Sequence, residues 1–130
     1  MNEEEMKQRT KKFALRVLDL ADAVPHNRSG NVIAAQIIRS GTSVAANYRA
    51  LSRAKSRADF INKTSIVEEE ADEPGLWLEL LIERGLLSAR RVQPLLNEAS
   101  ELTAIFVASR KTAISQQTRI ENRKSRIENS

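Results

Sequence analysis

The stretch that decides the fold is residues 39–81, RSGTSVAANYRALSRAKSRADFINKTSIVEEEADEPGLWLELL. Together with the residues just before it, it carries two long apolar seams. Ile33, Ile37, Val44, Tyr48 and Leu51 step by four, seven, four and three, which keeps one face of a helix apolar. The phase passes through Gly41 unbroken, so the spacing predicts one helix from about Ser29 to Ala54, with Ser29 as its cap. A mid-helix glycine costs about 1 kcal/mol relative to alanine. That cost suggests a packing reason: Gly41 with Ala45, and the ridge Ala46, Ala50, Ala54, would let another helix come close.

Ser56 followed by Asp59 resembles a capping box and starts the next helix. Phe60, Thr64, Val67, Ala71, Pro74, Leu78 and Leu81 then alternate steps of four and three. Pro74 sits in the seam, lacks an amide donor and crowds the carbonyl of Glu70, at a cost of about 3 kcal/mol in a helix interior. The expectation is a third helix kinked near Pro74. The competing expectation is a break into two helices.

Charge is sorted along the same stretch. Residues 39–63 hold Arg39, Arg49, Arg53, Lys55, Arg57 and Lys63 against Asp59; residues 64–83 hold Glu68, Glu69, Glu70, Asp72, Glu73, Glu79 and Glu83 with no base. Such runs are ordinarily solvated faces. The segregation also allows the basic end of one subunit to meet the acidic middle of another.

The run from Arg39 to Arg49 (RSGTSVAANYR), then Phe60, Asp72-Glu73 and Trp77 to Leu80, resembles the small four-helix bundle proteins encoded in intervening sequences of bacterial 23S ribosomal RNA genes. The likeness runs from about Phe13 to Ala113. The Ser-Gly-Thr-Ser-Val block followed by Asn-Tyr-Arg is its specific part, and Pro74-Gly75 departs from the pattern. The resemblance implies an up-down-up-down bundle assembling into a homopentamer. A remote relative of that family, the accessory protein of diversity-generating retroelements, implies a basic pentameric barrel that binds nucleic acid and a reverse transcriptase.

Outside this stretch the composition favours an all-α class. The chain has 130 residues, 41% hydrophobic and 29% charged, with three prolines and four glycines. That suits one globular domain of long helices, and no run alternates in the manner of a strand. Met6, Phe13, Val17, Leu20 and Val24 define a first helix from about Glu3 to Val24, ended by Pro25, its apolar face widened by Ala14, Leu18 and Ala21. Gly85 suits a left-handed cap closing the third helix, with Leu86 as the accompanying apolar contact. Ser88 restarts the chain, and Pro94 stands either at the start of the fourth helix or inside one begun at Ala89. Leu95, Ala99, Leu102, Phe106 and Ala113 carry the last seam. Residues 1–114 therefore read as an antiparallel four-helix bundle. Residues 115–130 read as a polar, basic tail, frayed or disordered, with a basic arm reaching nucleic acid as the alternative, and repeat Arg-Ile-Glu-Asn at 119–122 and 126–129.

The chemistry the chain lacks is as informative. There is no cysteine and one histidine, His26, so thiol chemistry, zinc sites and His-bearing di-iron bundles lack their ligands. Ser40, Thr42 and Ser43 have no base nearby in sequence, and no glycine-rich phosphate loop occurs. A non-enzymatic protein without cofactor or metal is expected. The acidic start lacks an apolar signal core, and no stretch approaches the ~18–20 apolar residues of a membrane span. With the absent cysteines, this points to the cytoplasm.

Two functions stay open. In the first, Arg39, Arg49, Arg53, Lys55 and Arg57 form a basic patch for RNA or DNA, repeated around an oligomer. With five aromatic residues, several on the seams, such binding would be electrostatic and sequence-tolerant. In the second, the protein is an assembly or adaptor protein that docks a protein partner, such as a reverse transcriptase. Asn47, Tyr48, Asp72, Glu73 and Trp77 then serve the subunit interface.

Overall fold

The computed structural model describes residues 1–129; Ser130 lies outside the described residues. They form four helices and no strand: α1 (Glu3–Asp22), α2 (Arg28–Leu51), α3 (Arg57–Glu83) and α4 (Ala89–Glu128). Turns of a few residues join them, which forces each helix to run against its neighbour. The result is an up-down-up-down four-helix bundle. Its close seams are α1–α2, α2–α3 and α3–α4, and α1 returns to α4 along a looser fourth seam.

Each helix starts where a short polar side chain can take an orphan amide. Asn2 accepts from Glu5, Asn27 from Gly30, Ser56 from Asp59 and Ser88 from Arg91. The cap of α2 is thus Asn27, two residues before the expected Ser29, and α2 ends at Leu51 rather than Ala54. At the far end of α3, Gly85 takes φ 71°, and the Leu86 amide donates to the Leu81 carbonyl at 2.9 Å. That is the left-handed closure expected of this glycine.

The buried seams follow the predicted spacing, with Val92 added at the start of the last and Phe60 only half-buried. Phe13, Val17, Ile37, Val44, Val67, Leu78, Leu81, Val92, Leu102 and Phe106 have 2% or less of their surface exposed. Leu18 departs from expectation: it lies on the outer side of α1, with exposed Leu15. Tyr48 is buried, its ring 5.9 Å from that of Phe106. Gly41 has the packing reason its position suggested. A Cβ placed on it would lie 2.7 Å from a γ-carbon of Val17, itself fully buried. The bare backbone at Gly41 therefore lets α1 lie against α2. The ridge Ala46, Ala50, Ala54 plays no such part, being exposed or half-buried.

Pro74 and Pro94 lie inside helices. α3 runs unbroken through Pro74, which is buried on the core seam, so the break into two helices does not occur. Pro94 falls in the second turn of α4, which begins at Ala89. Both Pro94 and Arg90, whose carbonyl loses its donor to the proline, face solvent, so water can satisfy that oxygen.

The largest departure from the sequence reading is the end of α4. The expected tail from Ser115 is not a frayed segment: the helix continues through Ala113 to Glu128. Ala113 is its last buried residue. Gln116, Gln117, Arg119, Glu121, Arg123 and Lys124 are good helix formers, which explains continuity without a core to pack on.

Candidate nucleic-acid interface

Two sets of arginines are set apart by their surroundings, while Arg28, Arg84, Arg90 and Arg91 are exposed at the far end with no ion pair among the described residues. In the first set, along the body of the bundle, three arginines meet carboxylates. Arg9 of α1 forms a two-pronged pair with Glu98 of α4, at 2.9 and 2.6 Å, and reaches Glu101 at 2.8 Å. This network spans the loose α1–α4 seam. Its partners shift each other. The Arg9 guanidinium, donating to Glu98, holds that carboxyl below the usual range, and Glu98 raises Arg9 in turn. Arg110 of α4 forks onto Glu68 of α3, its Nε 2.6 Å from the carboxylate. Arg39 of α2 pairs with Glu73 of α3 and lies 3.9 Å from Glu70. Ser43, one turn further along α2, faces the same Glu70 at 2.6 Å.

Part of the acidic run on α3 is therefore answered within the chain, by Arg39 and Arg110. Arg39, expected in the basic patch, belongs to this paired set. It also sits ten residues, about 15 Å along the helix, from Arg49.

The second set gathers where α2 turns into α3. Arg49 in the last turn of α2, and Arg53 and Lys55 in the turn, are all exposed. Among the described residues none of these three side chains has a carboxylate partner. The turn itself is held by other atoms. Asp59 accepts from the Lys55 main-chain amide at 3.0 Å and from the Lys63 ammonium at 2.9 Å, and these two bonds, the first foremost, lower its pKa. Arg57, at the start of α3, donates to Gln116 of α4. The sequence thus placed Arg49, Arg53, Lys55 and Arg57 at one end of the molecule, and the fold keeps them there.

The acidic first turn of α1, Glu3 to Glu5, shares this end. Glu3 pairs with Lys7 at 3.4 Å. Half-buried Phe60 lies between the helices here, lining a hollow with Arg57, Ser109, Thr112 and Gln116.

The residues expected at a subunit interface are scattered. Tyr48 belongs to the core, where burial raises its pKa, and so offers no surface. Asn47 donates to the Ser43 carbonyl on its own helix. Glu73 is occupied by Arg39 and receives the Trp77 indole N–H at 3.4 Å. Trp77 is half-buried and packs against the core. Asp72 alone is fully exposed, facing α4 beside Ser100 and Thr103.

No other chemistry competes for attention. Among the described residues no group of His, Cys, Asp and Glu is disposed to hold a metal ion, and no helix is long and apolar enough to cross a membrane. The buried hydroxyls of Thr10, Ser40 and Thr64 each donate to a carbonyl one turn back. Ser43 and Glu70 are joined without a histidine and serve to bridge α2 and α3.

The fold and this charge distribution define an all-helical bundle with ion-paired arginines between its helices and an exposed basic cluster where α2 turns into α3. The sequence model of the 23S rRNA-intervening sequence protein family matches residues 2–108, and the chain belongs to that family. Its fold is similar to the crystal structure of a protein of unknown function from the S23 ribosomal protein family of Bacteroides thetaiotaomicron VPI-5482. The two share 35% identity and a TM-score of 0.77 over 85% of this chain and 99% of the other. Among curated proteins none matches the chain.

Proposed function

We propose that this protein is a non-enzymatic, cytoplasmic bundle that assembles with copies of itself and binds nucleic acid through the repeated basic end of each subunit. One observation carries the reading. Arg49, Arg53 and Lys55 are exposed at one end without carboxylate partners among the described residues, while Arg9, Arg39 and Arg110 along the body are all paired. Exposed like charges side by side are solvated in water and also give a field that attracts a polyanion. A phosphate backbone is such a polyanion, and binding it releases counterions.

Assembly is supported by the outer surface, where Leu15, Val32 and Leu76 each expose more than half of their area. The pentameric state rests on the likeness to the family. Repetition around a ring multiplies contacts that are weak singly. The aromatic side chains at the basic end, Tyr48, Phe106 and Phe60, are buried or half-buried and leave little to stack on bases, so recognition is electrostatic and indifferent to sequence.

Filter binding of RNA and DNA across a salt series tests the proposal. The expected result is retention at low salt that falls linearly on logarithmic axes as salt rises. Reversing Arg49 and Arg53 to glutamate should abolish retention with the mass of the assembly unchanged. Salt-independent retention, or none, overturns the proposal. Dissociation of the R49E/R53E protein to monomers would instead move the pair to a subunit contact and favour the assembly-and-adaptor function, with a protein partner in place of nucleic acid.

A further inference from the structure

We infer that the part of α4 beyond the bundle is a helical arm that continues the basic end along a nucleic-acid backbone. The inference rests on the function proposed above and adds a second element to the same site.

From Ala113, its last buried residue, α4 runs on to Glu128, about 22 Å at 1.5 Å per residue. The family match ends at residue 108, before the arm begins. It leaves the bundle at the end where α2 meets α3, beside Arg57, which donates to Gln116. Thr112, Gln116, Arg119, Arg123 and Arg126 follow at steps of four, three, four and three, which is one stripe on a helix. The stripe therefore starts at the hollow lined by Arg57, Thr112 and Gln116 and becomes three arginines in a row.

All three are exposed, and among the described residues none is ion-paired. The acids of the arm stand elsewhere: Glu121 and Glu128 fall on the opposite flank by the same helical spacing, and Glu121 is engaged by Gln117 at 3.0 Å. The repeated Arg-Ile-Glu-Asn places Arg119 and Arg126 seven residues apart. That is about 10.5 Å along the arm, on the same stripe. Arg126, in the last turn, also complements the negative end of the helix, a role that leaves Arg119 and Arg123 unexplained.

A second copy of the arm is the competing occupant, and the pattern disfavours it. Ala99, Phe106, Ala113 and Ile120 recur every seven residues, as one line of a coiled-coil seam would. The other line has no apolar member past Leu102: it reads Ser109, Gln116, Arg123, or one residue later Arg110, Gln117, Lys124. One apolar residue per heptad does not hold two helices together, whereas a basic edge is suited to phosphate.

The test replaces Arg119, Arg123 and Arg126 by glutamine, which keeps helix propensity. The full-length triple variant, R49Q/R53Q and the parent chain are titrated with a short RNA duplex and a single strand across salt. Each lost phosphate contact lowers the logarithmic salt slope by about 0.7–0.9. The triple variant should therefore show a slope shallower by about 2–3, with helicity and assembly mass unchanged. A parental slope in the triple variant, with a reduced slope in R49Q/R53Q, overturns the arm and leaves the basic end standing. No salt-dependent retention by the parent overturns both. A triple variant that binds as the parent does but loses assembly mass makes the arm a contact between copies and overturns the inference.

Discussion

Helix α1 has two neighbours, and it meets them by different physics. On the α2 side it closes onto bare backbone, with Val17 where a Cβ of residue 41 would stand. On the α4 side it is tied by Arg9 to Glu98 and Glu101. The first seam is a matter of shape and is indifferent to pH and salt. The second is ionic, and part of it titrates. A bundle can therefore be tight on one side and conditional on the other, with the same helix serving both.

The sharpest way to break the shape-based seam is Gly41→Val. Val17 is fully buried and has nowhere to go, so overpacking should lower unfolding stability by about 2–3 kcal/mol, read by urea denaturation. The helix propensity gained on losing a glycine offsets only a few tenths of that. The added Val17→Ala change should recover part of the loss, because the cavity it opens accepts the new side chain. A Gly41→Val protein as stable as the parent would mean that α1 does not depend on close approach here.

Glu98→Gln breaks the ionic seam. The pair is mostly buried, 22% and 15% exposed on its two sides, and hydrogen bonds to charged groups contribute about 1.5–3 kcal/mol. A loss near 2 kcal/mol is expected at neutral pH. The sign of the pH dependence follows from the lowered pKa of Glu98, caused first by the Arg9 hydrogen bond. The unfolded chain binds the proton more readily, at about 4.3. The contribution of Glu98 is thus fully present above that value and disappears as pH falls through the lower, folded value. Parent and Glu98→Gln stabilities should converge on acidification, whereas parent and Gly41→Val should keep their separation.

What the sequence discloses follows the same division. Seams, caps and turns are local or periodic, so Ile37, Val44, Ser56 and Gly85 are legible from spacing and residue type alone. The end of α4 is not legible from an apolar seam, because residues 115–128 are helical on propensity without a core. Ion pairs are harder. Arg39 and Arg49 look alike in sequence, ten residues apart in one helix. What separates them is which carboxylate lies across the seam, and that depends on how α3 is rotated against α2. Tyr48 shows a related ambiguity: its place on the seam pointed to the core, where it lies, while the motif that carries the family likeness, Asn-Tyr-Arg, mixes a core residue with a surface one. The basic end stayed legible because a turn keeps neighbours in sequence neighbours in space.

Gly75 supplies the control that sharpens the contrast. It too is a glycine inside a long helix, one residue after a proline, and from sequence it is as costly as Gly41. Across from it there is room: a Cβ would meet only a Leu96 methyl, at 3.9 Å. Gly75→Ala should therefore raise stability by up to about 1 kcal/mol, through helix propensity and a less flexible unfolded chain. The measurement is a shift in the urea midpoint with unchanged slope. Opposite signs for Gly41→Val and Gly75→Ala would locate the requirement for glycine in the α1–α2 seam. A loss of stability at Gly75 would show that the helix after Pro74 needs its backbone freedom, and would transfer the constraint from packing between helices to the proline itself.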